Sequence, residues 1–150
     1  MTLAHPTVTT ERDAADIRAI LDLLAAAYRA RDAKAVARHY VPDARIADLA
    51  PPLLRRGFDP VAIQTWFDGW DGPVEIGIRD LVVEVEGDLG FAYGLQHVRT
   101  RTQSGEDAAW WSRITRAFAR TLEGWRITHE HDSVPFHMDG SFRAAVNLEP

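Results

Sequence analysis

Gly124–His137, GWRITHEHDSVPFH, is the stretch on which the reading of this chain turns. A glycine turn opens it, a proline closes it, and the residues between alternate as in a strand. Alternation places Trp125, Ile127, His129, His131 and Ser133 on one face and Arg126, Thr128, Glu130 and Asp132 on the other. Two imidazoles thus continue an apolar face. A strand that only covered a core would carry aliphatic side chains at 129 and 131, so the pattern predicts a partly polar cavity. The competing reading is that both rings are satisfied by ordinary hydrogen bonds in a core, or that the strand end is wet.

Upstream of this strand lie three more long runs rich in β-branched and aromatic residues, separated by Glu86-Gly87-Asp88, Ser104-Gly105-Glu106 and Glu123-Gly124. Such short turns pair neighbours antiparallel, and strands this long imply a twisted, curled sheet. The first run switches its apolar parity, with Val74, Ile76 and Ile78 on one set and Leu81, Val83 and Val85 on the other, so a bulge is expected near Arg79-Asp80. The second and third runs carry apolar residues on both parities, and the pattern leaves open which face is inside. If both faces are covered, one needs a partner, which predicts a homodimer.

The N-terminal half reads as helical. Thr10, with Asp13 reciprocating, is the expected start of a helix whose stripe is Ile17, Ile20, Leu21, Leu24 and Tyr28. Asp32 caps a second, short helix over Ala33 to Tyr40, and Pro42 stops it. Ala44 to Ala50 reads as a short strand with Ile46 and Asp48 on one face. Asp59-Pro60 starts a third helix bearing Ile63, Trp66, Phe67 and Trp70 on one side. The expected fold is therefore α+β: a curled antiparallel sheet of four long strands wrapped around three N-terminal helices, with a central pocket. One domain over 1–150 is expected, its core at about 10–134 and a C-terminal tail at 135–150.

Composition narrows the function. The 150 residues are 46% hydrophobic and 26% charged, which is globular, and the net charge of −5 with interspersed signs offers no basic field for nucleic acid. The absence of cysteine excludes disulfides, thiol catalysis and thiolate metal sites. No basic, apolar leader opens the chain and no run is long enough to span a bilayer, so a cytoplasmic protein without a membrane partner is expected.

The candidate site residues follow from type and position. Asp48, aligned with Ile46, is either a surface aspartate or a partly desolvated carboxylate suited to proton transfer. His129 and His131 are further acid/base candidates, since histidine titrates near pH 6.5. Arg113, between Trp111 and Thr115, is either a surface arginine or a receptor for a carbonyl or anionic oxygen. Tyr28, Tyr40, Trp66, Trp70, His97 and Trp111 are the expected pocket lining. A metal set of His129, His131, His97 and Asp48 ranks last, because spacing fixes no third ligand.

HYVPDARIADLAPPL, WFDGWDGP, WSRIT and above all EGWRITHEHDSVPF followed by MDG resemble the nuclear transport factor 2-like superfamily, and within it the SnoaL-like proteins related to polyketide cyclases and ketosteroid isomerases. The resemblance spans nearly the whole chain. It implies a cone-shaped α+β barrel, usually dimeric, with a deep apolar pocket, and generally no metal. The same cone serves isomerases, cyclases, dehydratases, epoxide hydrolases and non-catalytic proteins. The tyrosine and aspartates that ketosteroid isomerases use as an oxyanion hole have no evident counterpart, and only Asp48 with His129 or His131 imitates the aspartate–histidine pair of the cyclases. The expected activity is cofactor-free acid/base chemistry on a small, mostly apolar carbonyl compound. The alternative is a binding or dimeric assembly module that uses the same pocket without turnover.

Overall fold

The computed structural model describes residues 8–150, with side chains from Glu11 onward. Three helices, α1 (Val8–Arg29), α2 (Ala33–Ala37) and α3 (Pro60–Asp68), pack on one face of a six-stranded sheet. The strands are β1 (Tyr40–Ala47), β2 (Arg55–Arg56), β3 (Glu75–Glu86), β4 (Leu89–Arg101), β5 (Asp107–Thr121) and β6 (Gly124–Ser133). Their order is β2-β1-β6-β5-β4-β3. Every pairing is antiparallel except β1 with β6, which is parallel. The expected four-stranded sheet is thus extended by β1 and the two-residue β2 on the far side of β6.

α1 forms because Ile17, Leu21, Leu24 and Ala27 recur on one side and bury against the sheet. It begins at Val8, earlier than the expected cap at Thr10. Asp13 is therefore inside the helix and does not complete a capping box. Its carboxylate is buried and accepts from Arg120 at 2.7 Å and from the Trp125 indole at 3.4 Å, tying the helix to β5 and β6. α2 stops at Ala37, short of the expected Tyr40, because the chain there is taken up by sheet pairing: the His39 carbonyl accepts from Ile127 N at 2.7 Å. α3 starts as read, with Asp59 accepting from the amides of Val61 and Ala62 and proline in the first turn.

The expected bulge in β3 is present as a register shift between Arg79 and Val82, with Asp80 at φ 55°. It keeps Ile76, Ile78, Leu81, Val83 and Val85 on the helix side. Burial settles the faces of the next two strands. Ala92, Gln96, Val98 and Thr100 of β4, and Ser112, Ile114, Arg116 and Phe118 of β5, are buried beneath the helices. Phe91, Tyr93, Leu95, His97, Trp111, Arg113 and Thr115 consequently lie on the outer face.

A second register shift decides what the last strand presents. Phe118 pairs with Ile127 while Ala117 pairs with His129, leaving Thr128 as an extra residue without a partner. The bulge reverses the alternation. Trp125 and Ile127 are buried inward, and beyond the bulge it is Glu130 that is buried, at 5% exposure, while His131 is exposed. The expectation that His129 and His131 continue the Trp125–Ile127 face is corrected: Glu130 and Asp132 do.

Candidate functional site

On the helix-covered face, strands β4 to β6 assemble a row of polar side chains in an otherwise apolar interior. Glu130 is its centre. The Tyr40 hydroxyl donates a short hydrogen bond to Glu130 Oε2, and Arg116 Nε donates to the same oxygen at 2.7 Å. Arg116 Nη2 also donates to Gln96 Oε1 at 3.3 Å, and Gln96 Nε2 reaches Asp132 Oδ2 at 3.4 Å. Gly94 lies between Ala92 and Gln96 on this face, and a Cβ there would meet the Arg79 carbonyl oxygen at 2.9 Å. The bulged strand β3 fills the space that a side chain at 94 would need.

The two carboxylates differ in their partners. Glu130 is paired with a guanidinium and a phenol. Asp132 has only the Gln96 amide, and its Oδ1 is buried without a partner. Burial, and next the neighbouring Glu130 charge, push the Asp132 carboxyl up to about 7, while Arg116 and Gln96 pull the other way. Burial and Glu130 also raise the phenols of Tyr28 and Tyr40, which keeps both protonated as donors. Ser112 Oγ, buried on the same face, likewise has no partner. Thr100 Oγ1 on the same face and the Trp70 indole nitrogen are unpartnered as well; buried polar atoms are almost always satisfied, so these groups mark places for water or a ligand.

The candidates read from the sequence divide between the two faces. Tyr28, Tyr40, Asp48, Trp66 and Trp70 are on the helix side. Asp48 lies beside Ile46 as expected, pairs with Arg55, and lines a cavity of about 20 Å³ together with Tyr28, Phe58 and Glu130. That volume holds a single water. Tyr28 meets Phe67 and Trp66 edge-on, at centroid separations of 5.3 and 6.4 Å. Trp66 contacts Trp70, and Trp70 contacts Trp110 at 6.2 Å, so Trp110 completes this aromatic series where Trp111 was expected.

Trp111, His97, Arg113, His129 and His131 are on the outer face. His97 and Trp111 stack there, 4.4 Å apart and 6° from parallel. The expected convergence of Asp48, Arg113, His129 and His131 on one cavity does not occur, because the sheet separates the aspartate from the other three. The same separation removes the metal set, and among the described residues no group of three or more His, Asp or Glu side chains could hold a metal ion.

Arg116, Gln96, Ser112, Glu130 and Asp132 were missed as a site. Arg116 carried a usable signal, a charge between Ile114 and Phe118 on a regularly alternating apolar face. Asp132 carried none, since its side of the strand depends on the bulge.

A SnoaL-like domain model matches residues 17–137. The chain is a SnoaL-like protein of the nuclear transport factor 2-like superfamily. Solved structures agree. An NTF2-like protein of unknown function from Pseudomonas putida is 25% identical, with a TM-score of 0.82 over 94% of this chain and 99% of that one. A putative dehydratase of the NTF2-like family from Streptomyces avermitilis is 14% identical, with a TM-score of 0.72 over 83% and 97%. The association domain of C. elegans CaMKII is 18% identical, with a TM-score of 0.67 over 85% and 99%. These last two show the fold alone. Among curated proteins none matches. No helix of the described residues is long and apolar enough to cross a membrane.

Proposed function

We propose that this SnoaL-like protein is a cofactor-free acid/base enzyme that moves a proton on a small, mostly apolar carbonyl compound, with Asp132 as the proton carrier. The observation that carries this reading is the unequal pair of carboxylates: Glu130 paired with Arg116 and Tyr40, and Asp132 beside it, near pH 7 and with one oxygen free. A group that titrates near the working pH serves as base in one half of a proton transfer and as acid in the other.

In the proposed step Asp132 Oδ1 takes a proton from the carbon next to the carbonyl. The C–H electron pair moves into the new C=C bond, and the carbonyl π pair moves onto oxygen. Tyr28 donates to that oxygen; unlike Tyr40, its hydroxyl is not committed to Glu130. Asp132 then returns the proton to carbon at the same or another position, giving exchange or isomerisation. Trp66, Trp70 and Trp110 would flank the apolar part of the substrate, and Gln96 holds the other Asp132 oxygen. Arg116 positions Glu130. His97, Trp111, Arg113, His129 and His131 take no part, being across the sheet.

Incubation with a panel of cyclic enones and aryl ketones in D₂O, followed by mass spectrometry, tests the chemistry without knowledge of the product. Enzyme-dependent deuterium incorporation that falls about 10²-fold to 10⁴-fold in Asp132→Asn is the expected result. Incorporation that survives this substitution removes Asp132 from the mechanism.

A second reading, an assembly role, is favoured by the outer face. Phe91 and Tyr93, in contact with each other at 5.5 Å, are each 41% exposed on the same face as the His97–Trp111 stack, and the fold is shared with an association domain. Self-association through this face would give a species of about twice 16.8 kDa in sedimentation.

A further inference from the structure

The loop between β1 and β2 carries features that the proton-transfer reading does not use. Asp48, just after β1, and Arg55, the first residue of β2, form an ion pair that closes the loop at its base. The two side chains are only 22% and 27% exposed, whereas the tip they close off holds Leu53 at 97% and Leu54 at 55% exposure. Phe58, stacked on Tyr40 at 4.6 Å and packed on the core, anchors the far end; before it the segment is held only by the two-residue β2, paired as Arg45 with Arg56 and Ile46 with Arg55, by Gly57 N donating to the Ala44 carbonyl at 2.8 Å, and by an exposed Arg56–Asp43 pair at 3.8 Å. Both members of the ion pair also line the 20 Å³ cavity that reaches Tyr28 and Glu130. A cavity of that size admits no organic ligand.

We propose that residues 48–57 form a flap over the interior site, that the Asp48–Arg55 pair is its clasp, and that opening of the clasp admits a neutral apolar ligand. This rests on the interior being the ligand site. Segments with few backbone bonds and sparse buried contacts open at low free energy, so the ion pair is the main restraint left to break. Opening widens the cavity beside Tyr28 and Glu130, and on reclosure Leu53 and Leu54, now in water, can cover apolar ligand surface. The charges sit at the hinge of the loop and the leucines at its tip. The charges therefore set how often the flap opens, and the leucines how well it closes over a ligand.

Arg55→Gln and Asp48→Asn remove the charge pair and keep the size of the side chains. Backbone hydrogen exchange over 49–57 should rise about threefold to fivefold in either variant, the worth of a partly exposed ion pair. Stopped-flow association of Nile red should accelerate by a similar factor. The charge-reversed double variant, D48R with R55D, should restore slow exchange and slow dye entry. Unchanged exchange in both single variants overturns the clasp, as does faster exchange that the reversed pair fails to correct. Faster exchange with unchanged dye entry overturns the gate. Dye entry governed by the clasp, together with no Asp132-dependent deuterium incorporation, supports the gate and refutes the chemistry, so the two failures are distinguishable.

Discussion

Asp132→Asn tests the electrostatics of the interior before any substrate is known. The carboxyl of Asp132 is raised from 3.8 to about 7 by burial and by Glu130, so between these values the folded chain holds a proton that the unfolded chain releases. Stability from that proton is fully present below about pH 4 and is lost as the pH rises through 7. About three pK units at 1.36 kcal/mol each set a ceiling of about 4 kcal/mol on the loss. Asp132 keeps some contact with solvent, and we expect about half of the ceiling. Asparagine has the same shape, can still accept from Gln96, and never ionises. The variant should match the wild type below about pH 4, draw ahead as the pH rises between the two pKa values, and exceed it by about 2 kcal/mol at pH 8, a shift of about 1 M in the urea midpoint. Unfolding curves collected in urea from pH 4 to 9 measure this directly. If the two proteins keep a constant difference across that range, Asp132 does not titrate there, and both its raised pKa and its role as proton carrier fail.

Arg116→Met should cost about 3–5 kcal/mol in urea unfolding, because it strands Glu130 as a buried charge; adding Glu130→Gln should recover most of that loss. Gly57→Ala should cost about 1–3 kcal/mol, read as a lowered thermal midpoint, since Gly57 sits at φ 81° and a Cβ would lie 2.9 Å from the Pro42 carbonyl oxygen. Phe91→Asp should shift sedimentation from about twice 16.8 kDa to the single-chain mass while leaving the circular dichroism unchanged; a wild-type monomer at micromolar concentration refutes the outer-face association.

The sequence discloses those parts of the fold whose signal lies in apolar contrast. The α1 stripe, the Asp59-Pro60 helix start and the parity switch in β3 are legible because apolar residues stand on both sides of each transition. The β3 bulge is visible from Ile78 and Leu81 alone. At Thr128 the same device is silent. Apolar residues end at Ile127, and from Thr128 to Ser133 every residue on either parity is polar or ionisable, so no pattern records which side turns inward. The β1–β6 pairing is hidden for a different reason, as it joins segments about 85 residues apart, and the Asp32 cap with Pro42 as the next stop reads locally as helix up to Tyr40.

One unpaired residue therefore distributes the chemistry of the molecule. Were β6 regular, His129 and His131 would face the helices and Glu130 and Asp132 the outer surface, where a carboxylate near Arg45 and Arg113 would be an ordinary solvated acid. With Thr128 inserted, Glu130 sits opposite Arg116 and within reach of Tyr40, and Asp132 comes under the influence of a second buried carboxylate. Asp132 acquires its raised pKa because the two acids are brought in as a pair with a single guanidinium between them. Two acids to one arginine leave one carboxyl without a cation, and burial gives that group, Asp132, its affinity for a proton near neutral pH. The histidines, displaced to the outer face, lie across the sheet from both acids.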